Sequence, residues 1–474
     1  MTSQKYDLVA IGSGPGSRRA AIQAAKLGKR VLVVESASLG GVSVHTGTIP
    51  SKTIRETVLN LTGFRERNFY ERQTNKADLR DIFDRLNLTQ RREVSVMQDQ
   101  FERNGVDTLI ANASFLDSHT IRTVEADGKM RDISAGKTII AVGTCCYRPD
   151  NIDFDGKYVC DSDQILRVER IPSSVTIIGA GVIGVEYASI LNVLGKEITI
   201  VDPRKDYLEF IDREIIEAFT GILQKRGVQF RLGRKLSEII SISNEIITLK
   251  LDDGELLQTG MVLYAAGRMG ATSRLNLESC GIETDARDRI TVNPETFQTS
   301  TENIYAVGDV IGFPALASTS MSQGRIAACH AFGEEAHELP KFFPYGIYSV
   351  PEISTSGASE TQLQSEAISY VTGIAQLRET SRGQIMGVDN GFLKMLFERK
   401  GHRLLGVHII GEGAAELIHI GQAVMQFNGT IDYFIENVFN FPTLAEAYKV
   451  AALNAWNKLS REPYINRASI HRST

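Results

Sequence analysis

Apolar and polar positions along this chain fall into a strand–turn–helix–strand unit that occurs twice. Tyr6–Ile11 is a nearly unbroken apolar run that ends at a glycine turn. Arg18–Leu27 carries apolar residues at helical spacing, and Arg30–Glu35 is a second apolar run. Short apolar runs bounded by glycine read as buried parallel strands, so the order is β–α–β. Val175–Ile178, Ile183–Leu194 and Glu197–Val201 repeat the pattern as a distant internal copy. Between the two units, Ser51–Gly63 and Ala77–Asn104 read as helices, the second charged on its outer face. Thr108–Phe115, Thr120–Ala126 and Lys129–Ser134 read as short strands, and Thr138–Val142 as a return to the first sheet.

Beyond the second unit, Met261–Ala266 reads as its closing strand, and the chain re-enters the first domain through Gly281–Val292 and Asn303–Val307. The texture changes at Phe343. Short strands (Gly346–Val350, Ser369–Ala375, Phe392–Phe397, Leu404–Ile410) alternate with polar turns, and two helices follow, Ala414–Phe427 and Thr443–Leu459. Strands followed by helices predict an antiparallel sheet covered on one face. The expected fold is α/β, with two Rossmann-like dinucleotide-binding domains and a C-terminal α+β domain. The first domain spans 1–150 and 272–342, the second 151–271 and the third 343–474.

Composition narrows the function without naming it. The 474 residues leave room for about three domains at roughly 150 residues each. Apolar content of 42% with 41 glycines suits an α/β protein whose tight turns consume glycine. A formal charge of −5 gives no reason to expect nucleic acid or an acidic membrane surface as partner. No run of uncharged apolar residues is long enough to predict a membrane span, and Met1–Lys5 lacks the pattern of a secretory leader, so a cytoplasmic location is expected. The five cysteines (Cys145, Cys146, Cys160, Cys280, Cys329) are odd in number and lack Cys-x-x-Cys spacing. They read as reduced thiols, with no metal site expected.

The turns carry the chemistry. In Gly12-Ser13-Gly14-Pro15-Gly16-Ser17, the glycines permit a tight turn and a close backbone approach, so that helix N–H groups can face a pyrophosphate. Ser17 is small enough for helix–strand packing at the third position of the pattern. Glu35 closes the next strand, where an acid accepts hydrogen bonds from ribose hydroxyls. Gly179-Ala180-Gly181-Val182-Ile183-Gly184 is a full Gly-x-Gly-x-x-Gly match, and Asp202 closes its following strand. An acid there favours NAD, because it pairs with a 2′-hydroxyl and repels a 2′-phosphate. Arg204 and Lys205 come directly after. They are either solvated turn residues or ligands of that phosphate, in which case the site takes both NAD(H) and NADP(H).

The segment Gly40-Gly41-Val42-Ser43-Val44-His45-Thr46-Gly47-Thr48-Ile49-Pro50-Ser51-Lys52 resembles the redox-active stretch of the flavoprotein disulfide reductases, Gly-Gly-x-Cys-x-x-x-x-Cys-x-Pro-Ser-Lys. Ser43 and Thr48 stand where the two thiols would be, and a hydroxyl neither forms nor attacks a disulfide. With two dinucleotide units around it, the chain resembles the glutathione reductase and lipoamide dehydrogenase family over nearly its whole length. Within that family it resembles the soluble pyridine nucleotide transhydrogenases. The runs that carry this are Thr48-Ile49-Pro50-Ser51-Lys52, Val307-Gly308-Asp309-Val310-Ile311-Gly312, Gln323-Gly324-Arg325-Ile326-Ala327-Ala328 and Pro442-Thr443-Leu444-Ala445-Glu446-Ala447-Tyr448.

The resemblance implies FAD in the first cradle, with Ser36, Gly40, Gly41 and Val42 beside it, and a nicotinamide nucleotide in the second. It implies that Lys52 lies by flavin N5 and pairs with Glu186, both as catalytic residues. A cation there stabilises negative charge as hydride arrives. The plain alternative for Lys52 is a surface lysine in a helix's first turn, a place the macrodipole disfavours for cations. Asp309 would bind the ribityl chain, and a helix beginning near Ala317 would aim its dipole at the N1/O2 edge. The turns at Gly143 and Gly267 would lie by the FAD and the nucleotide domain.

One departure completes the pattern. Disulfide reductases carry His-Pro-Thr-x-Ser-Glu, whose histidine protonates a leaving thiolate from across the dimer interface; here the run begins with Phe441, which carries no proton to give. Dithiol and general acid are absent together. The implied activity is FAD-dependent, Si-specific hydride transfer between NADPH and NAD+, by a homodimer or larger assembly formed through 343–474, with Trp456 on the last helix. Two other readings share the cradles: an NAD(P)H:quinone reductase or diaphorase, and a non-catalytic flavin-binding scaffold or redox sensor. A scaffold has no need of the Lys52 cation.

Overall fold

A computed structural model describes residues 4–69, 78–243 and 245–460. Ala77, the first residue of one expected helix, and 461–474, the end of the expected third domain, lie outside the described residues.

The first β–α–β unit forms as expected. Gln4–Ile11 and Val31–Glu35 pair in parallel, joined by the helix Pro15–Lys26 with proline in its first turn, where a missing N–H does no harm. The sheet runs in the order Asp107–Ile110, Val31–Glu35, Gln4–Ile11, Met130–Ile140, Thr120–Val124, Asn112–Asp117, with Ile304–Ala306 also on Met130–Ile140. The returning chain thus adds its strand beside Ile139 and Ile140, next to the cradle. The helix Ala317–Ala331 packs on Pro15–Lys26, and Gly324 permits the contact: a Cβ there would collide with the carbonyl of Gly16.

Two expectations for this sheet need correction. Lys129–Ser134 and Thr138–Val142 are one strand, Met130–Ile140. Ser134-Ala135-Gly136 looks like a break, but the strand runs through it because its first half pairs antiparallel with Thr120–Val124 while Gln4–Ile11 lies alongside in parallel. Thr108–Phe115 is two strands, because the chain changes partner at Ala111, whose N–H donates to the carbonyl of Glu35 at 2.8 Å. Gly281–Val292, the first stretch of the returning chain, carries one bridge, between Thr284 and Ile290.

The second unit builds a five-stranded parallel sheet, in the order Gln229–Leu232, Glu197–Asp202, Ser174–Ile178, Met261–Tyr264, Val159–Asp161. A three-stranded antiparallel meander, Leu236–Ser243, Ile246–Leu251 and Leu256–Thr259, covers one side. That meander and the helix Arg213–Lys225, whose N-cap Asp212 accepts from the N–H of Glu214, go beyond the elements expected from the sequence. The first and second units are stitched by a short antiparallel pair, Thr144–Cys146 with Arg268–Gly270.

The C-terminal part is an antiparallel sheet of five strands, Tyr345–Ile347, Ile353–Gly357, Leu404–Ile410, Phe392–Glu398 and Tyr370–Gln376, with the helices Ala414–Gln426 and Glu446–Ser460 packed on it. Ile353–Gly357 was not anticipated. Among the described residues no helix is long and apolar enough to cross a membrane.

Candidate functional site

The first cradle is built by steric necessity. Gly12 has φ +94°, and a Cβ on it would collide with the carbonyl oxygen of Ala141 on the neighbouring strand's end. Gly14 opens onto free space, while a Cβ on Gly41 would lie 3.3 Å from the Gly14 Cα, so the Gly40–Gly41 turn sits directly against the cradle. A Cβ on Gly16 would lie 2.9 Å from Val307. Ser17 is fully buried behind the turn. Glu35 is held from both sides: Oε2 accepts from the Ser13 amide (2.9 Å) and hydroxyl (2.6 Å), and Oε1 from Ser36 Oγ (3.1 Å). The Ser13 hydroxyl in turn accepts from the N–H of Gly40 at 2.8 Å. Ser13 is thus the knot of the cradle. In Gly-x-Gly it is only the variable position, although a short hydroxyl beside a strand-ending acid is a usable signal.

These residues open on a cavity of about 720 Å³, within the usual range for cofactor pockets. Gly12, Gly14, Gly16, Glu35, Ser36, Gly41, Val42, Gly143, Asp309 and Ala317 all line it. Ser43 and Thr48 line it too, and the sole cysteine in its wall is Cys145. The Ser43 hydroxyl donates to the carbonyl of Gly40 at 3.0 Å. Burial pushes the Asp309 carboxyl above its usual range, with the Arg268 guanidinium opposing. Helix Ala317–Ala331 starts at the cavity wall. A flavin dinucleotide fits here, since the cradle leaves room only where glycine stands and a helix N-terminus and a buried carboxyl border the space.

Gly143 and Gly267 do not sit at two separate places. The Gly143 carbonyl accepts from Ala271 at 3.1 Å and that of Gly267 from Tyr147 at 3.1 Å, so both belong to the crossing between the two units. Arg268 clamps that crossing, donating to the Thr144 hydroxyl and carbonyl, each at 2.8 Å.

The second cradle repeats the first. Gly179 has φ +111° and would meet the Ala265 carbonyl as Gly12 meets Ala141; Gly181 opens onto free space, and Gly184 lets the helix Val182–Val193 close on the Gly179 carbonyl. The strand-ending acid again takes the N–H of the residue between the glycines: Asp202 Oδ2 accepts from Ala180 at 2.7 Å. What differs is the acid's second partner. Arg204 donates Nε to Oδ1 (2.8 Å) and a terminal nitrogen to Oδ2 (2.7 Å), and its amide donates to Oδ1 at 2.9 Å. Burial would raise Asp202, yet Arg204 and the two amides hold its carboxyl below the usual range. The acid and the base expected as separate ribose and phosphate ligands are bound to each other. The cause is local, because a residue two positions beyond a strand-ending acid folds its amide, and then its side chain, back onto the carboxylate.

Lys52 and Glu186 meet. Lys52, on the helix Thr48–Leu61, places Nζ 2.8 Å from both Glu186 oxygens and 4.8 Å from the centre of the Tyr348 ring. Glu186 is 3% exposed on the helix Val182–Val193 and accepts a third bond from the N–H of Tyr348 at 2.8 Å. Nearby Tyr345 is pushed up to about 12, by burial and by the negative charges of Glu186 and Asp309, so it stays protonated at neutral pH. Nothing in the two cradle motifs pointed to these tyrosines, which arrive from the C-terminal sheet.

That C-terminal part leaves large apolar side chains in the open. Phe427, Val438 and Phe441 are exposed, and Val450, Leu453 and Trp456 form a partly exposed stripe at helical spacing.

Comparison with known proteins bears on all of this. A family described as pyridine nucleotide-disulphide oxidoreductase matches residues 6–324, and its dimerisation domain matches 343–452. The soluble pyridine nucleotide transhydrogenase of Mycobacterium tuberculosis (strain ATCC 25177 / H37Ra) is 46% identical over 461 residues, covering 96% of this chain and 98% of its own. That of Colwellia psychrerythraea is 41% identical over 461 residues, with the same coverage. Among solved structures, the HOCl-induced flavoprotein disulfide reductase RclA of Escherichia coli superposes with a TM-score of 0.85 at 25% identity, over 94% of this chain and 99% of that one.

Proposed function

The chain belongs to the pyridine nucleotide-disulphide oxidoreductase family, and from that premise we propose that it is an FAD-dependent, Si-specific pyridine nucleotide transhydrogenase. The net reaction is NADPH + NAD+ → NADP+ + NADH, with one nicotinamide site used by both nucleotides in turn. The observation that carries this reading is a retained Lys52–Glu186 pair, its lysine on the helix whose first residue, Thr48, lines the cavity, while the Ser43 and Thr48 hydroxyls there have no disulfide chemistry.

When bound, FAD supplies a ring that accepts a hydride and gives it back. The chain's own residues do the rest. The N-terminus of Val182–Val193 offers backbone N–H groups to a visiting pyrophosphate, and Asp202 with Arg204 reads the 2′ position. Lys52 holds a fixed positive charge where negative charge develops, and Glu186, itself gripped by Tyr348, keeps that ammonium aimed. Asp309 and the start of Ala317–Ala331 border the cavity of the first cradle. No proton shuttle is needed, which agrees with Phe441 in place of a general acid.

The test is an anaerobic two-step mixing experiment. NADPH bleaches the flavin, and added NAD+ then restores its colour while NADH appears. A flavin that stays reduced with NAD+ but reoxidises with a quinone overturns the proposal in favour of a diaphorase. Deuterium at the pro-4S position of NADPH tests the stereochemistry, and its retention in NADP+ excludes Si-specific transfer.

A further inference from the structure

Arg55 is one of the largest fully buried side chains of the molecule, and the chemistry above does not use it. It lies three residues beyond Lys52 on the helix Thr48–Leu61. Its Nε donates to the carbonyl of Ser349 at 2.9 Å, and a terminal nitrogen lies 2.6 Å from Glu56 and 3.0 Å from Glu352. The other terminal nitrogen is 3.6 Å from Glu412. Arg65 closes the ring of charge, reaching Glu56 at 2.9 Å and Glu412 at 2.7 Å.

The segment that Arg55 grips is the one that grips Glu186. Tyr348 donates its N–H to Glu186, Ser349 offers its carbonyl to Arg55, and Val350 donates its N–H to Ser189 Oγ at 2.9 Å. Three consecutive residues therefore bind two helices, one bearing Lys52 and the other bearing Glu186. A charge this deep is retained only with its partners, since an unpaired one costs several kcal/mol. A planar guanidinium can serve a carbonyl and carboxylates at once, which an ammonium cannot do in fixed geometry.

We propose that Arg55 is the positioning residue of the Lys52–Glu186 pair, acting through the backbone of residues 348–350 and anchored by Glu352 and Glu412, which stand just outside strands of the C-terminal sheet. The inference rests on the reading that this pair serves the hydride step. It also ties that step to the part of the chain that matches a dimerisation domain, because Glu352 and Glu412 belong to it. Glu352 is poised by this arrangement: burial pushes its carboxyl up, Arg55 pulls it down, and Glu412 and Glu56 add to the upward push.

The experiment compares Arg55→Met, Glu352→Gln and the double variant, with Lys52→Ala as control. Hydrogen exchange at the Tyr348 and Val350 amides is followed in FAD-free and FAD-loaded protein, and flavin reduction by NADPH is followed anaerobically. Arg55→Met is expected to speed exchange at both amides by about tenfold or more. It should slow reduction by about tenfold or more, with the NADPH dissociation constant within about twofold, because misplacement by a fraction of an ångström acts on rate rather than on affinity. The double variant removes the stranded carboxylate and should recover thermal stability but not the rate or the protected amides. If Arg55→Met does not fold, Arg55→Lys carries the same test. Wild-type reduction and exchange in Arg55→Met overturn the proposal, as does a double variant that regains both, since Arg55 would then only balance charge. A Lys52→Ala variant that reduces normally refutes the reading of the pair itself, whatever Arg55 does.

Discussion

Arg204→Ala separates the two nucleotides through one side chain. A carboxylate offers about four lone-pair positions. Those of Asp202 meet four donors: the amides of Ala180 and Arg204, and two nitrogens of the Arg204 guanidinium. A ribose 2′-hydroxyl therefore gains Asp202 only when Arg204 swings away. A 2′-phosphate gains Arg204 by the same movement, and Arg204 is free to make it because its side chain is 51% exposed. The arginine is a shared element, competing with NAD(H) for the acid and holding NADP(H) itself.

Removing the guanidinium deletes one charge-assisted contact to a phosphate, worth about 1.5–3 kcal/mol, or about 10- to 150-fold in a dissociation constant. Solvent screening at a half-exposed site puts the expectation at the lower end, about tenfold. NAD(H) should bind as well as before or tighter, because two acceptor positions on Asp202 are released. Equilibrium titration of the purified variant with each nucleotide at two salt concentrations measures both effects, and the NADP(H) loss should shrink at high salt. Equal weakening of NAD(H) and NADP(H), or none of either, refutes the idea that this pair reads the 2′ position.

Lys52→Ala should slow anaerobic flavin reduction by about 10²–10³-fold, the scale of losing one aimed electrostatic group, while FAD stays bound by absorbance; reduction within about threefold of the parent rules out a role for the cation. Leu453→Glu, in the stripe with Val450 and Trp456, should convert a dimer to monomers in sedimentation velocity, and an unchanged dimer moves the interface elsewhere. His408 sets an acid limit on stability. It is fully buried; Nε2 faces the Ala358 carbonyl at 3.0 Å and must carry the hydrogen, leaving Nδ1 to accept from Thr355. Burial holds its pKa below the usual value, with nearby Asp212 opposing. The unfolded chain takes up the proton first, near pH 6.5, so stability present above that pH is lost as pH falls towards the folded value. Melting temperatures from pH 8 to 5 should show this fall in the parent and less of it in His408→Gln; parallel curves discard the assignment.

What was legible in the sequence was what is local. Both cradles and their strand-ending acids are short-range patterns that form where their residues predict, while the helix start at Ala317 was legible only through the resemblance. Lys52 and Glu186 lie 134 positions apart, and only a resemblance could pair them, because no periodicity spans that distance. Arg55 and Tyr348 were invisible for the same reason: their roles exist only once the segment that follows the strand Tyr345–Ile347 lies between two helices. The helix Arg213–Lys225 is a different failure. Its Asp212 cap and the apolar spacing Ile215, Phe219, Ile222 were available and passed over. The strand through Ser134-Ala135-Gly136 shows tertiary pairing overriding weak local propensity.

The two cradles share one plan and differ in how the terminal acid is spent, and that difference bears on which dinucleotide stays. Glu35 is occupied by the Ser13 amide and hydroxyl on one oxygen and by the Ser36 hydroxyl and Ala37 amide on the other, all from neighbouring turns, and Ser13 is in turn fixed by Gly40. Such a site is pre-organised by short-range donors, with no long side chain to order, which suits a cofactor that remains bound. Asp202 is occupied instead by a long, half-exposed arginine that must move before the acid can be used. Displacing that side chain sets a cost on holding NAD(H) at the acid, and a transhydrogenase needs such a cost, since one nucleotide must leave before the other enters. Exchanging the acid's partners should exchange the behaviour: with Arg204→Ser, the second cradle acquires a short fixed donor like that of the first. NAD+ should then dissociate more slowly while turnover falls. An unchanged dissociation rate would mean that the mobility of Arg204 has no part in release.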